Sequence, residues 1–170
     1  ALILMTNHRI HLIQNVKLWN TTTSSYNTYS STSPSALAAL GRFCSADLAA
    51  PTAFYNPATG KGTMERIFLN GEETGSEGRA FGHIATGASA GTTYELMALG
   101  KASFENQVAS PTISDTTVVI GLDDATPGQV YVYVGTKTNT GTDIDKAGLN
   151  NGRLYGVAVS GLLTETSANI

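Results

Sequence analysis

Charge, cysteine and helical periodicity are all scarce in this chain of 170 residues. Only 14% of its residues are charged, against roughly a quarter in ordinary globular proteins. The net charge is −3 and no basic run occurs, which excludes the phosphate backbone of nucleic acid as a partner. No long charged block is present and apolar strand signals recur, so a disordered chain is excluded as well. Cys44 stands alone, which rules out an internal disulfide. The surrounding "RFCSADL" offers no base to activate its thiol, and a half-buried strand cysteine is the expectation. The opening "ALILMTNHRIHLI" is too short in apolar residues for a signal peptide or a membrane span. The chain is therefore expected to have lost a leader or to be a piece of something longer, with no membrane span. P-loop, dinucleotide-binding, HExxH and GxSxG motifs are missing. "YVGTKTNTGTDIDKAG" holds Asp143 and Asp145 but neither the glycine nor the terminal glutamate of an EF-hand, so it reads as a polar loop.

What is present points to strands. Thr, Ser, Asn and 18 glycines fill the space that charge leaves, a composition typical of secreted β-rich proteins. Nine short β-branched or aromatic runs are read as strands: "RIHLIQNVKLWN", "RFCSADL", "TAFYN", "ERIFLNG", "AFGHIATG", "TYELMALG", "TVVIGL", "QVYVYVGT" and "RLYGVAVSGL". Turn-forming pieces such as "NPATGKG" and "DATPGQ" separate them. "SPSALAALG" is the one stretch suited to a helix, of two turns at most. An all-β domain spanning residues 1–170 follows.

A repeat runs through these strands. "ALGRFCSADL" and "ALGKASFENQ" share Leu-Gly-basic at Leu40 and Leu99, an offset of 59. "IFLNGEE" and "VVIGLDD" align at an offset of 51, "AFGHI" and "VYVYV" at 50, and the loop "YNPATGKGTM" absorbs the difference from 59. A period near fifty residues with several strands per unit suggests propeller blades. The length allows about three blades, which makes a partial β-propeller, an incomplete portion of a larger one, the expected architecture; a β-sandwich is the alternative. Open blade edges would invite self-association or a complementary chain.

Each repeat ends an apolar strand on adjacent acids, Glu72 with Glu73 and Asp123 with Asp124. A turn cap explains either pair taken alone. Both pairs together, at equivalent strand ends, would repel unless a cation sat between them, and oxygen-rich sites suit hard cations. Glu105 in "KASFENQVAS" joins the set, with Asp47 near the equivalent place in the first repeat. Arg79 is placed either to hold an anionic substrate or to be a solvated strand arginine. His8, His11 and His83 share no metal-type spacing and read as structural or exposed. Tyr131 and Tyr133 on one face of "VYVYV" read as core or blade interface rather than as a sugar platform.

The run "RIFLNGEETGSEGRAF…LGKASFENQVASP…TVVIGLDDATPGQVYVYVGTKT" resembles the PhoX-type alkaline phosphatases, a secreted bacterial family also described as a domain of unknown function. It is closer to uncharacterised extracellular relatives that carry "GRFCSADL", "NGEE" and "GQVYVYVGTKTNTG". The resemblance implies a β-propeller whose channel binds calcium and iron through carboxylates and hydrolyses phosphate monoesters. The family's Cys-Glu-Glu motif falls on Gly71, Glu72 and Glu73, its His-Glu motif on Phe104 and Glu105, and its Glu-Asp motif on Asp123 and Asp124. The implied metal ligands are Glu72, Glu73, Glu105, Asp123 and Asp124. With Gly71 in place of the family's cysteine, calcium is the expected ion and iron the second choice. Two functions follow as expectations. One is a metal-dependent phosphate monoesterase or its remnant, acting on a phosphate ester or other small anion. The other is a calcium-stabilised structural or binding module without catalysis. Either would be secreted or periplasmic.

Overall fold

The computed structural model describes residues 3–6, 9–162 and 164, with side chains described from Ile13 onward. His8 lies outside the described residues, as does the side chain of His11. In chain order the strands are β1 (Ile3–Thr6), β2 (Arg9–Leu12), β3 (Asn15–Asn20), β4 (Ser25–Ser30), β5 (Phe43–Leu48), β6 (Tyr55–Asn56) and β7 (Lys61–Gly62). They continue with β8 (Ile67–Glu72), β9 (Ala80–Ile84), β10 (Thr92–Glu95), β11 (Phe104–Ala109), β12 (Thr116–Asp123), β13 (Val130–Thr136) and β14 (Arg153–Gly156). Two single-turn helices, α1 (Pro51–Phe54) and α2 (Asp143–Lys146), complete the elements that organise the core. The chain is mostly β, with 43% strand and 9% helix.

Six strands form a mixed sheet in the order β4-β3-β10-β9-β8-β5. All its neighbours are antiparallel except β3 and β10. Four strands form an antiparallel sheet in the order β11-β12-β13-β14. The two sheets share one hydrophobic core. Leu69, Ile84 and Tyr94 enter it from the first sheet, and Phe104, Val119 and Tyr133 from the second. Ile144 and Leu149, on and just after α2, fill the same core. The opposite face of the larger sheet is covered around Val16, Leu18 and Phe81 by Leu40 and Ala38, which belong to the segment after β4. Covering on both faces explains why all five residues of β9 are buried, as in sheets enclosed between two layers.

No propeller is seen among the described residues, because the strands fall into two unequal sheets around a shared core instead of repeated blades. The internal repeat is nevertheless real. Strands β5, β8 and β9 form one antiparallel trio, and β11, β12 and β13 form a second in the same order. Phe43 pairs with Glu72 and Phe104 with Asp123, each followed by a register shift. The Glu73 amide donates to the Arg42 carbonyl and the Asp124 amide to the Ser103 carbonyl, both at 2.8 Å. These ladders correct the alignment of the first strands, which correspond at an offset of 61 and not 59; the third strands correspond at 50. Cys44 therefore corresponds to Glu105, and Asp47 corresponds to Val108.

Local chemistry explains the other departures. "SPSALAALG" makes only a 3-10 turn at Ala36–Ala38, where the Ser35 hydroxyl accepts from the Leu37 amide. "TAFYN" is not one strand, since Pro51 sits at the start of α1 and preorganises a helical turn. The loop holding Asp143 and Asp145 contains α2, started by a reciprocal cap between Thr142 and Asp145. Strand β4, "SYNTYS", carries too little apolar alternation to be read from sequence.

Candidate metal centre at the junction of the two repeats

The five expected ligands part company in three dimensions. Glu72 ends β8 and is buried. Its Oε1 accepts from the Gly41 amide and from Arg79 Nη2, both at 2.6 Å. Its Oε2 accepts from Arg79 Nε at 2.7 Å and from the Arg79 amide at 3.1 Å. Burial alone would raise the Glu72 pKa; the Arg79 guanidinium and the Gly41 amide outweigh it and hold the group below its ordinary value. Four donors saturate this carboxylate, so Glu72 is a structural ion pair with nothing left for a metal. Arg79 is neither solvated nor presented to a substrate. Its Nη1 donates to the Leu37 carbonyl at 3.0 Å and its Nη2 to the Ala39 carbonyl at 2.7 Å. The guanidinium thus clamps the covering segment to the end of β8.

Asp123 and Asp124 do not join the other acids in the cluster that forms at the junction. Asp123 caps its own turn, with Oδ1 accepting from the Ala125 amide at 3.1 Å, and Asp124 is exposed. Asp47 ties the sheets together by accepting from the Ala109 amide at 3.2 Å.

Two of the expected ligands do meet. Strand β11 lies against β5 and β8, and the irregular register of β5 and β11 brings their equivalent residues face to face. Cys44 Sγ donates to Glu105 Oε2 at 3.0 Å, and Ser45 Oγ approaches Glu105 Oε1 at 3.4 Å. Glu73 completes the group: one ligand atom from each of Cys44, Glu73 and Glu105 lies within 4.8 Å of the others. All three are half-buried. Arg42 Nη2 pairs with Glu73 Oε1 at 2.6 Å from the solvent side. The hydrogen bonds to Glu105 and then Glu73 push the Cys44 thiol up to about 11. Without an ion the proton stays on sulfur, shared toward the carboxylates. A divalent ion could replace that proton and offset the repulsion between the two acids.

Cys44 and Arg42 are the residues that reading along the chain missed. An alignment anchored on the two phenylalanines, "RFC" against "SFE", would have put Cys44 opposite Glu105. Gly71, where the resemblance would place a cysteine, has no room for a side chain. A Cβ there would lie 2.4 Å from Phe104 Cβ, far inside contact distance. The sulfur of this cluster comes from β5 instead.

His83 is structural, as expected. Its ring is fully buried, with Nδ1 2.7 Å from Thr93 Oγ1 and Nε2 2.8 Å from Asn70 Oδ1. Burial pulls its pKa down to about 4, so it stays neutral. Tyr133 is buried and Tyr131 packs against the same core, which leaves neither as a ligand platform.

The fold and the cluster together define a mostly β protein of two packed sheets, with a three-donor group where its repeats meet. Comparison with family models, with curated proteins and with solved structures finds no match to this chain.

Proposed function

We propose that this chain is a metal-stabilised extracellular β module without catalysis, in which Cys44, Glu73 and Glu105 hold one ion between the two repeats. The observation that carries this reading is the convergence of one thiol and two carboxylates from β5, β11 and the end of β8. One sulfur and two carboxylates suit Zn²⁺ or Fe²⁺ better than Ca²⁺, which prefers six to eight oxygens. The fold is read as a two-layer β-sandwich, since a single core lies between the sheets. A partial propeller would instead need its sheets set around a channel. In this reading the chain is a relative of the PhoX-type family that retains acidic strand ends without its phosphatase centre. The sparse charge and Thr- and Gly-rich composition support a secreted or periplasmic location. Among the described residues no helix is long and apolar enough to cross a membrane. The outer face of the smaller sheet, with Ile120, Val134 and Tyr155 exposed, supports self-association more than open strand edges do.

The test is thermal and chemical unfolding with Zn²⁺, Fe²⁺, Ca²⁺ or a chelator, together with elemental analysis. An ion at a hundred times its dissociation constant should add about 2.7 kcal/mol. Cys44→Ser and Glu105→Gln should abolish that gain while keeping the fold. Unfolding indifferent to every ion and to chelator would overturn the proposal.

Arg42 favours a second reading, the metal-dependent phosphate monoesterase. Its guanidinium is mostly exposed beside Glu73 and could hold an ester's phosphate next to the ion. Hydrolysis of a chromogenic phosphate ester that requires added metal and is lost in Arg42→Ala would establish this reading over the first.

A further inference from the structure

A second site lies away from the cluster, on the face of the six-stranded sheet covered by the segment after β4. There a cavity of about 320 Å³ is lined by Asn20, Asn27, Tyr29, Arg79 and Glu95, among others, at the lower end of small-molecule sites. Glu95 ends β10 and is only 6% exposed. Its Oε2 accepts from the Trp19 amide at 3.0 Å. Its Oε1 has no hydrogen bond, and the carboxylate has no ion pair, among the described residues. Oε1 does not belong to the fully buried, unpartnered side-chain atoms, so it is reached from the cavity and presents its charge there to a donor.

The cation in the same wall cannot supply that donor. Arg79 is paired with Glu72, and its Nε, Nη1 and Nη2 are already engaged with Glu72 and with the Leu37 and Ala39 carbonyls. Arg79 feels the Glu95 charge but is hydrogen-bonded to Glu72, which lies outside the wall. Among the described residues Glu95 Oε1 is therefore the charged oxygen of the wall left without a protein donor. The polar rim has spare capacity of both kinds. Asn20 Oδ1 accepts from the amides of Thr22 and Thr23, which leaves its NH₂ group free to donate. Asn27 Nδ2 reaches the Tyr29 hydroxyl at 3.4 Å, which leaves its Oδ1 free to accept.

The geometry points to a binding site for a small hydroxylated organic cation: its ammonium seats on Glu95 Oε1 and its hydroxyls on the amides of Asn20 and Asn27. A free amino sugar has this chemistry and fits the volume. Anions are repelled by Glu95, and neutral polyols leave its charge unmatched.

Only the backbone amide of Trp19 touches Glu95, and its ring packs on Tyr26, so binding is read by isothermal titration calorimetry. The full chain is titrated with D-glucosamine, D-glucose and D-glucuronate. D-Glucosamine should give a saturable change, D-glucose should bind at least about tenfold more weakly, and D-glucuronate should not bind, as expected when a charge-assisted hydrogen bond is lost. Glu95→Gln, checked for folding by circular dichroism, should reduce D-glucosamine binding to the D-glucose level. Asn27→Ala, at an exposed position, should weaken both sugars and tests the site if Glu95→Gln does not fold. Equal or tighter binding of D-glucuronate would overturn the assignment. So would a silent panel at tens of millimolar, or D-glucosamine binding unchanged in the folded variants.

Discussion

Glu72 and Asp123 occupy the same place in the two strand trios, and their fates differ. Glu72 is buried and saturated by Arg79 and Gly41, whereas Asp123 caps an open turn. The reason lies one strand away. The amide of Glu72 donates to the carbonyl of Arg79, and the amide of Asp123 to that of Gln129, so Gln129 stands where the first trio has its cation. Gln129 donates to the carbonyls of Val130 and Val157 and offers no charge. Glu72 is buried with a cation that offsets its charge. The first trio therefore takes a covering segment over its strand end, and the second leaves the equivalent end in water. One backbone plan thus serves two electrostatic roles.

Removing the cation should break this difference most severely. Arg79→Ala leaves Glu72 buried and unpaired and should cost about 3–5 kcal/mol in a denaturant titration. Asp123→Ala should cost no more than about 1 kcal/mol, typical of an exposed turn cap. Equal losses would mean that the clamp contributes nothing special.

The third strands sharpen the contrast through pH. His83 and Tyr133 hold equivalent positions and both are buried. Tyr133 donates from its hydroxyl to the Gly148 carbonyl, and burial pushes its pKa up to about 12, so it does not titrate in acid. His83 has its folded pKa lowered from 6.5 to about 4 by burial. Between these values the unfolded chain binds a proton that the folded chain refuses, so stability is full above pH 6.5 and falls as the pH drops toward 4. The loss attributable to His83 is on the order of 3 kcal/mol. It should appear as a falling denaturant midpoint across that window and disappear in His83→Gln. The same slope in the variant would assign the acid sensitivity elsewhere.

A smaller loss than either of the buried charge and buried imidazole effects is expected in the middle strands. Gly71 corresponds to Leu122 in the second trio, yet a Cβ on Gly71 would meet Phe104 at 2.4 Å. Gly71→Ala should cost about 1–3 kcal/mol through overpacking. A neutral result in the melting curve would show that Phe104 has room to move.

Much of the β architecture was legible from alternation and turn chemistry. The repeat was legible too, because Leu-Gly-basic and the doubled acids recur at similar spacing. Its register was not: an extra residue in β5 and β11 shifts the pairing without changing the pattern of residue types. Two of the five expected ligands, Glu73 and Glu105, share the cluster; Glu72, Asp123 and Asp124 have other surroundings. The thiol that joins them lies 61 residues from Glu105 and carries no local mark of that role.

By itself the sequence determined most of the extended segments, where they turn and that a three-strand unit repeats, since these depend on neighbours a few residues apart. Whether the sheets close on one core or circle a channel was decided only in three dimensions, as was which carboxylate meets a cation and which meets a thiol. Burial and charge pairing depend on distances through space, and residues far apart in the chain set those distances only when the sheets pack.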